Sequence, residues 1–167
     1  MNWSEWSKLA GQYMEPMGGK GAFLTTAHDG RVNTMTMSWS AAGVFWAKPV
    51  LILPVRFTRY THELLRKSGY ATVSIPAEGT LGKELAYCGT KCGRDVDKFA
   101  EMGLTAQPGR TVPVPVVAQA ALHFECRVLY TTDMSPMYMD EVIDRGMYAD
   151  HNYHTLFFAE VVDSYGK

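Results

Sequence analysis

Apolar and polar residues change their period along this chain, and the changes mark its elements. Over residues 3–14, Trp3, Trp6, Leu9, Ala10 and Tyr13 recur at three- and four-residue steps, the spacing of one helix face. Gly18, Gly19 and Gly21 end that helix. The period then shortens to two. GAFLTTA and RVNTMTMSW flank His28-Asp29-Gly30, and Asp-Gly between two β-prone runs predicts a hairpin. On its second strand Asn33, Met35, Met37 and Trp39 share one face, and Thr34, Thr36 and Ser38 share the other. PVLILPV predicts a strand, residues 61–67 a short helix and residues 70–75 a further strand. Residues 81–88 and 95–102 read as short helices around a Gly89–Gly93 loop. Pro108, Pro113 and Pro115 predict an irregular crossing. Residues 118–130 predict a long strand with Leu122, Phe124, Cys126 and Val128 on one face. Residues 137–148 carry a weak helical pattern, and 155–162 form the last strand.

Several strands at short spacing, with helices only as insertions, predict a mainly β domain built as a small barrel rather than a βαβ sheet. No GxGxxG follows a strand, which disfavours a dinucleotide-binding Rossmann unit. The length of 167 residues suits one domain, 1–167.

Charge narrows the function classes. Sixteen basic against 17 acidic residues give a net charge of -1, so nothing draws the chain generally to nucleic acid or to an anionic membrane. Any anion site must be local. No apolar run approaches the roughly 20 residues of a membrane span. The N-terminus lacks the apolar stretch of a secretory signal. Three cysteines cannot form a closed disulfide framework, which suits a reducing cytoplasm.

Two runs concentrate chemistry. Cys88-Gly89-Thr90-Lys91-Cys92-Gly93-Arg94-Asp95-Val96-Asp97-Lys98 mixes thiols, glycines, a hydroxyl and both charge signs. Gly89 and Gly93 permit close backbone approach, and Thr90 and Lys91 can donate to an anion. Asp95 and Asp97 are equally ready to cap the following helix. Cys88 and Cys92 stand four apart rather than as CxxC, so a redox dithiol is the lesser reading, and no histidine pair completes a metal site. The second run, Arg56-Phe57-Thr58-Arg59-Tyr60-Thr61, precedes a helix. Its arginines can bind phosphate in bidentate fashion beside a helix N-terminus, with Thr58 and Thr61 as hydroxyl donors. The plainer reading is that Thr58 or Thr61 caps the helix and the arginines are solvated. NTMTMSW could receive a flat heteroaromatic ring or could be an ordinary core strand. His28 and His151 look like turn residues, and His62 and His123 show no clear partner.

In this order and spacing, NTMTMSW, VRFTRYT, YCGTKCGRDVDK followed by GLT, and YHTLFFAEV resemble the flavin reductase-like family, in its flavoredoxin and NAD(P)H:flavin oxidoreductase-like branch. The resemblance runs from about residue 20 to 162. It implies a six-stranded antiparallel split barrel, a homodimer, and FMN near the subunit interface. It implies that Asn33, Thr34, Met35, Thr36, Met37, Ser38 and Trp39 line the isoalloxazine. It implies that Arg56, Thr58, Arg59 and Thr61 hold the phosphate, and that Cys88, Gly89, Thr90, Lys91, Cys92, Gly93 and Lys98 close the site. His154 falls where similar proteins place a histidine near nicotinamide or flavin. Relatives often carry serine where this chain has Cys92, a poorer donor. The implied activity is hydride transfer from NAD(P)H to flavin N5, with onward transfer to a redox partner or an oxygenase. Flavin as a released substrate, or an electron carrier without NAD(P)H activity, are the rival readings.

Overall fold

The protein is described by a computed structural model covering residues 2–166. Its elements, in chain order, are α1 (Trp3–Met14), β1 (Ala22–His28), β2 (Arg31–Met37), β3 (Ala41–Phe45), β4 (Lys48–Arg56), α2 (Tyr60–Ser68) and β5 (Tyr70–Ile75). They continue as α3 (Gly82–Thr90), α4 (Lys98–Glu101), β6 (Ala106–Gln107), β7 (Val116–Val117), β8 (Leu122–Asp133), α5 (Glu141–Met147) and β9 (His154–Gly166). Seven strands make one antiparallel sheet in the order β2-β1-β5-β8-β9-β4-β3, and β6 pairs with β7 separately.

The Asp-Gly hairpin forms as expected. β1 and β2 pair from Ala22↔Met37 to His28↔Arg31, and Asp29 and Gly30 both take the positive φ that a tight hairpin turn needs. Trp46 and Ala47 make the second tight turn, between β3 and β4, also at positive φ. β2 and β3 lie at opposite edges of the sheet, yet only residues 38–40 join them. The sheet must therefore curl until its edges approach without forming a ladder: a split barrel.

α1 sits at the seam. Trp6 Nε1 donates to the carbonyl of Gly43 on β3 (3.2 Å), and Tyr13 shares a hydrogen bond with Ser40 (2.5 Å). Both side chains are buried with Met35, Met37, Leu51, Leu53, Val73, Phe124 and Phe157 in the main core. Burying an aromatic side chain of this size contributes about 2 kcal/mol. A second, smaller core of Phe23, Leu85, Cys88, Phe99, Leu104 and Val117 fixes α3 and α4 outside the barrel wall.

The sheet has seven strands where the sequence predicts six. β3 escapes prediction because Ala41, Ala42 and Gly43 are poor strand formers that gain their place only by pairing with β4. β8 begins at Leu122 rather than at residue 118, since Ala120 turns back to bond the carbonyl of Val117. The helix expected over 95–102 shrinks to α4, whose N-cap is Asp97, accepting from Phe99 N and Ala100 N.

The proline-rich crossing is held by one buried carboxylate. Glu125 accepts from the backbone N–H groups of Arg110 (2.5 Å), Thr111 (2.6 Å) and Val112 (3.0 Å), and from the Thr111 and Tyr165 hydroxyls. Burial acts to raise its pKa, but the bonds from Thr111, Arg110 and Tyr165 outweigh it and hold the carboxyl down at about 2.

Candidate functional site

Between β2, the start of α2 and the α3–α4 loop lies a cavity of about 100 Å³, lined by Asn33, Met35, residues 58–61, residues 90–93 and Lys98. A larger cleft of about 510 Å³ lies between residues 15–21 and 75–80, but it gathers no arginine, histidine or cysteine. The smaller cavity carries the chemistry.

Asn33 fixes its floor. The side chain is buried, and Nδ2 donates to Thr61 Oγ1 at 2.8 Å. Gly93 crosses so close that a Cβ there would overlap Asn33 Oδ1. Lys98 comes up from α4, only 4% exposed, and its ammonium donates to the carbonyls of Thr34 and Cys88, both at 2.9 Å. Burial lowers its pKa, and among the described residues it has no carboxylate partner. A buried cation that meets only neutral carbonyls is incompletely neutralised. Arg59 is the N-cap of α2 and donates to the carbonyl of Gly89 (3.1 Å). The first turn of α2, Tyr60 and Thr61, faces the cavity, where a helix start presents unpaired N–H groups and partial positive charge.

The other residues singled out in sequence divide into those at this cavity and those elsewhere. Thr58, Arg59, Thr61, Thr90, Lys91, Cys92, Gly93, Lys98, Asn33 and Met35 line it. No side chain caps α2, so neither Thr58 nor Thr61 plays the capping role. Thr58 instead exchanges hydrogen bonds with Asn152 (N to Oδ1, 3.3 Å; Nδ2 to Oγ1, 2.9 Å). Thr90 Oγ1 bonds back to the carbonyls of Ala86 and Tyr87 at the end of α3. Met37 belongs to the barrel core, and Thr34 and Thr36 lie under α3 and α4, with Thr36 bonded to the carbonyl of Leu85 (2.5 Å). Gly89 packs against Thr36. Cys88 is a fully buried member of the second core, and burial pushes its thiol up to about 11. Cys92 is half-buried, and all three cysteines are free.

Arg56 turns away from the cavity. Its guanidinium donates to the carbonyls of Asn152 (2.8 Å) and Met147 (3.0 Å), lies 3.6 Å from Asp150, and stacks over Tyr148 with 5.0 Å to the ring centroid. It thereby clamps the segment between α5 and β9. Directly across the β4–β9 ladder from Arg56 stands His154. His154 is buried, its Nδ1 lies 2.8 Å from the Tyr148 hydroxyl, and its ring is 5.5 Å from that of Trp39. Burial, then the charges of Arg56 and Arg59, lower its pKa to about 4, so it is neutral near pH 7. Trp39 is 44% exposed, and Ser38 uses its carbonyl to accept from Gly18 N.

His62 and His123, without partners in the sequence reading, have them in the fold: Thr155 at 2.7 Å and Ser74 at 3.0 Å. Tyr60, Tyr148 and Asn152 are residues of this region that sequence reasoning missed. Tyr60 stood inside the run VRFTRYT but carried no anion chemistry to mark it; Tyr148 stood at the end of the weak helical pattern over 137–148, and Asn152 stood beyond it in a stretch without a periodic signal.

A curled, mainly β barrel with a cationic cavity, and with His154 paired across the β4–β9 ladder to Arg56, has relatives. The flavin reductase like domain family matches residues 14–167, and the chain belongs to that family. An uncharacterized protein of Pyrococcus abyssi is 29% identical over 140 residues, spanning 83% of this chain and 69% of its own length. Among solved structures, flavoredoxin of Desulfovibrio vulgaris is similar at 26% identity and a TM-score of 0.69, over 88% of this chain and 69% of that one. Flavoredoxin from Methanosarcina acetivorans is similar at 25% identity and a TM-score of 0.69, over 87% of this chain and 67% of that one. The fold is thus the flavin reductase split barrel, and the chain is a flavin-related oxidoreductase by family. No helix among the described residues is long and apolar enough to cross a membrane.

Proposed function

We infer that the chain is a single FMN-binding domain that takes hydride from NAD(P)H and passes electrons to an acceptor. The observation that carries this reading is Lys98: a buried ammonium bonded only to carbonyls, at the wall of a cavity that also holds Arg59 and the start of α2. Such a donor set fits a phosphate. A cavity of about 100 Å³ suits a phosphate better than a whole flavin. Sites for whole ligands of flavin size run to roughly 300 Å³ and above, so the ring system belongs outside its mouth.

Bound FMN would supply the hydride chemistry, accepting at N5 and releasing electrons onward. The chain's own residues bind and orient. Lys98, Arg59, Thr61 and the loop 90–93 would hold the phosphate, while Trp39 and His154 offer a flat surface and a neutral hydrogen-bonding group for the reacting rings. No general acid or base is required for hydride arrival. Arg56 acts in this scheme through the segment it clamps.

Phe45 and Trp46 are 43% and 57% exposed and cluster with Tyr130 and Phe158, an apolar face suited to a second copy of the chain. A homodimer with FMN near that interface is the assembly this supports, working with a redox partner or an oxygenase. The free thiols suit the cytoplasm.

The likeness to the flavoredoxins favours a second reading, a flavin-binding electron carrier without NAD(P)H activity. A visible absorption spectrum followed by anaerobic NADH or NADPH decides between them. Flavin bands that bleach support the oxidoreductase, bands that persist support the carrier, and a protein that binds no added FMN ends both.

A further inference from the structure

Tyr148 is outside the cavity, yet it is buried and built into the His154 site with unusual care. Its ring stacks on Tyr153 (5.0 Å between centroids, 21° between planes), and Tyr153 is itself anchored to Asp144 through a 2.7 Å hydrogen bond. Arg56 covers the Tyr148 ring at 5.0 Å and bonds the carbonyl of its neighbour Met147. Three contacts thus hold one phenol in place, and its hydroxyl lies 2.8 Å from His154 Nδ1 and 3.3 Å from Met134 Sδ.

A phenol has one proton to give. An imidazole nitrogen is a strong acceptor and a thioether sulfur a weak one, so the hydroxyl proton goes to His154 Nδ1. The imidazole is neutral, so its own proton then resides on Nε2. Nε2 has no hydrogen-bond partner among the described residues, and no sealed side-chain nitrogen or oxygen among them lacks one. Nε2 must therefore reach the surface, on the side of the imidazole that Tyr148 does not occupy.

We propose that Tyr148 is a positioning residue that fixes His154 as the Nε2–H tautomer, presenting one uncharged donor to an acceptor atom, such as a carbonyl oxygen, on the molecule that docks beside Trp39. An uncharged donor orients a carbonyl-bearing ring without adding positive charge beside a hydride in transit. The role in hydride transfer rests on the oxidoreductase reading; the tautomer does not.

The test joins two readouts on the full chain. Nitrogen-15 NMR of the His154 ring in the wild-type protein is expected to show a protonated Nε2 and a bare Nδ1; a protonated Nδ1 overturns the proposal. In Tyr148→Phe, His154 is expected to exchange between both tautomers, and an unchanged single tautomer overturns it. With FMN bound, Tyr148→Phe should slow reduction by NAD(P)H about tenfold and move FMN affinity less than about twofold, the pattern of an outer-shell orienting group. Unchanged reduction alongside a scrambled tautomer overturns the catalytic part. If no FMN binds at all, the flavin reading fails while the wild-type spectrum still decides the tautomer. If the variant does not fold, that same spectrum decides.

Discussion

Gly93 passes so close to Asn33 that the amide oxygen of Asn33 occupies the space a Cβ at residue 93 would need. The amide nitrogen of Asn33 meanwhile holds Thr61 at the start of α2. One missing methyl group thus keeps strand, loop and helix in contact around the cavity. Gly93→Ala should push the loop outward, costing about 1–3 kcal/mol of stability and weakening FMN or inorganic phosphate binding together. Calorimetry on the free and loaded protein reads both; a variant with wild-type stability and affinity contradicts the close approach.

Lys98 separates charge from packing. Lys98→Met keeps most of the apolar stem and removes the ammonium. An ionic hydrogen bond to phosphate is worth about 1.5–3 kcal/mol, so FMN affinity should fall about 10- to 100-fold. Fluorescence titration with FMN measures it, and undiminished affinity would remove Lys98 from the phosphate site.

The two arginines of the Arg56–Thr61 run should behave differently. Arg59→Ala is expected to weaken FMN directly, whereas Arg56→Ala should first loosen residues 147–152, which Arg56 holds through two carbonyls and Asp150. Hydrogen exchange in that segment distinguishes them. Equal protection in wild type and Arg56→Ala would show that the clamp is not what orders the segment.

Thiol chemistry offers a direct check on the Cys88–Lys98 run. Burial holds the Cys88 thiol up at about 11 and pushes Cys126 higher still, while Cys92 is partly open to solvent. A thiol-labelling reagent at pH 8 should modify Cys92 alone in the folded protein. Mild oxidation should leave Cys88 reduced, and a Cys88–Cys92 disulfide found by mass spectrometry would reverse that expectation.

Glu125 ties stability to acid. Its folded pKa of about 2 lies below the ordinary value of 4.5, so its contribution is complete above that value and is lost as pH falls from 4.5 towards 2. The difference corresponds to about 3 kcal/mol. Urea unfolding between pH 5 and 2.5 should show this loss in the wild type. Glu125→Gln should be less stable at pH 7 and flatter across the acid range; parallel pH curves would assign the acid limb to other carboxylates.

The sequence was most legible where local rules act alone. Asp29-Gly30 dictates its hairpin, and the spacing of Trp6 and Tyr13 dictates α1. β3 was illegible because Ala41-Ala42-Gly43 has no strand preference of its own and is held by its partner. At the site, the charges and glycines of residues 88–98 suggested a place for an anion, and in the fold Lys98 and Gly93 line one cavity with Arg59 and Thr61. The direction of Arg56 could not be read, since it depends on Asn152 and Tyr148, nearly a hundred residues away. His154 was legible only through resemblance; the phenol beside it is a product of the fold.

The placement of α1 has a consequence for how this protein stays in solution. β2 and β3 end the sheet with free edges, and an uncovered strand edge is a template for pairing with another chain. Trp6 donates to Gly43 on β3 and Tyr13 bonds Ser40 just before that strand, so α1 lies against the β3 edge and serves there as a guard against intermolecular strand addition. A chain trimmed of its first 14 residues would keep nearly the whole family-matched segment yet lose that guard, and aggregation, rather than loss of chemistry, would be its first defect.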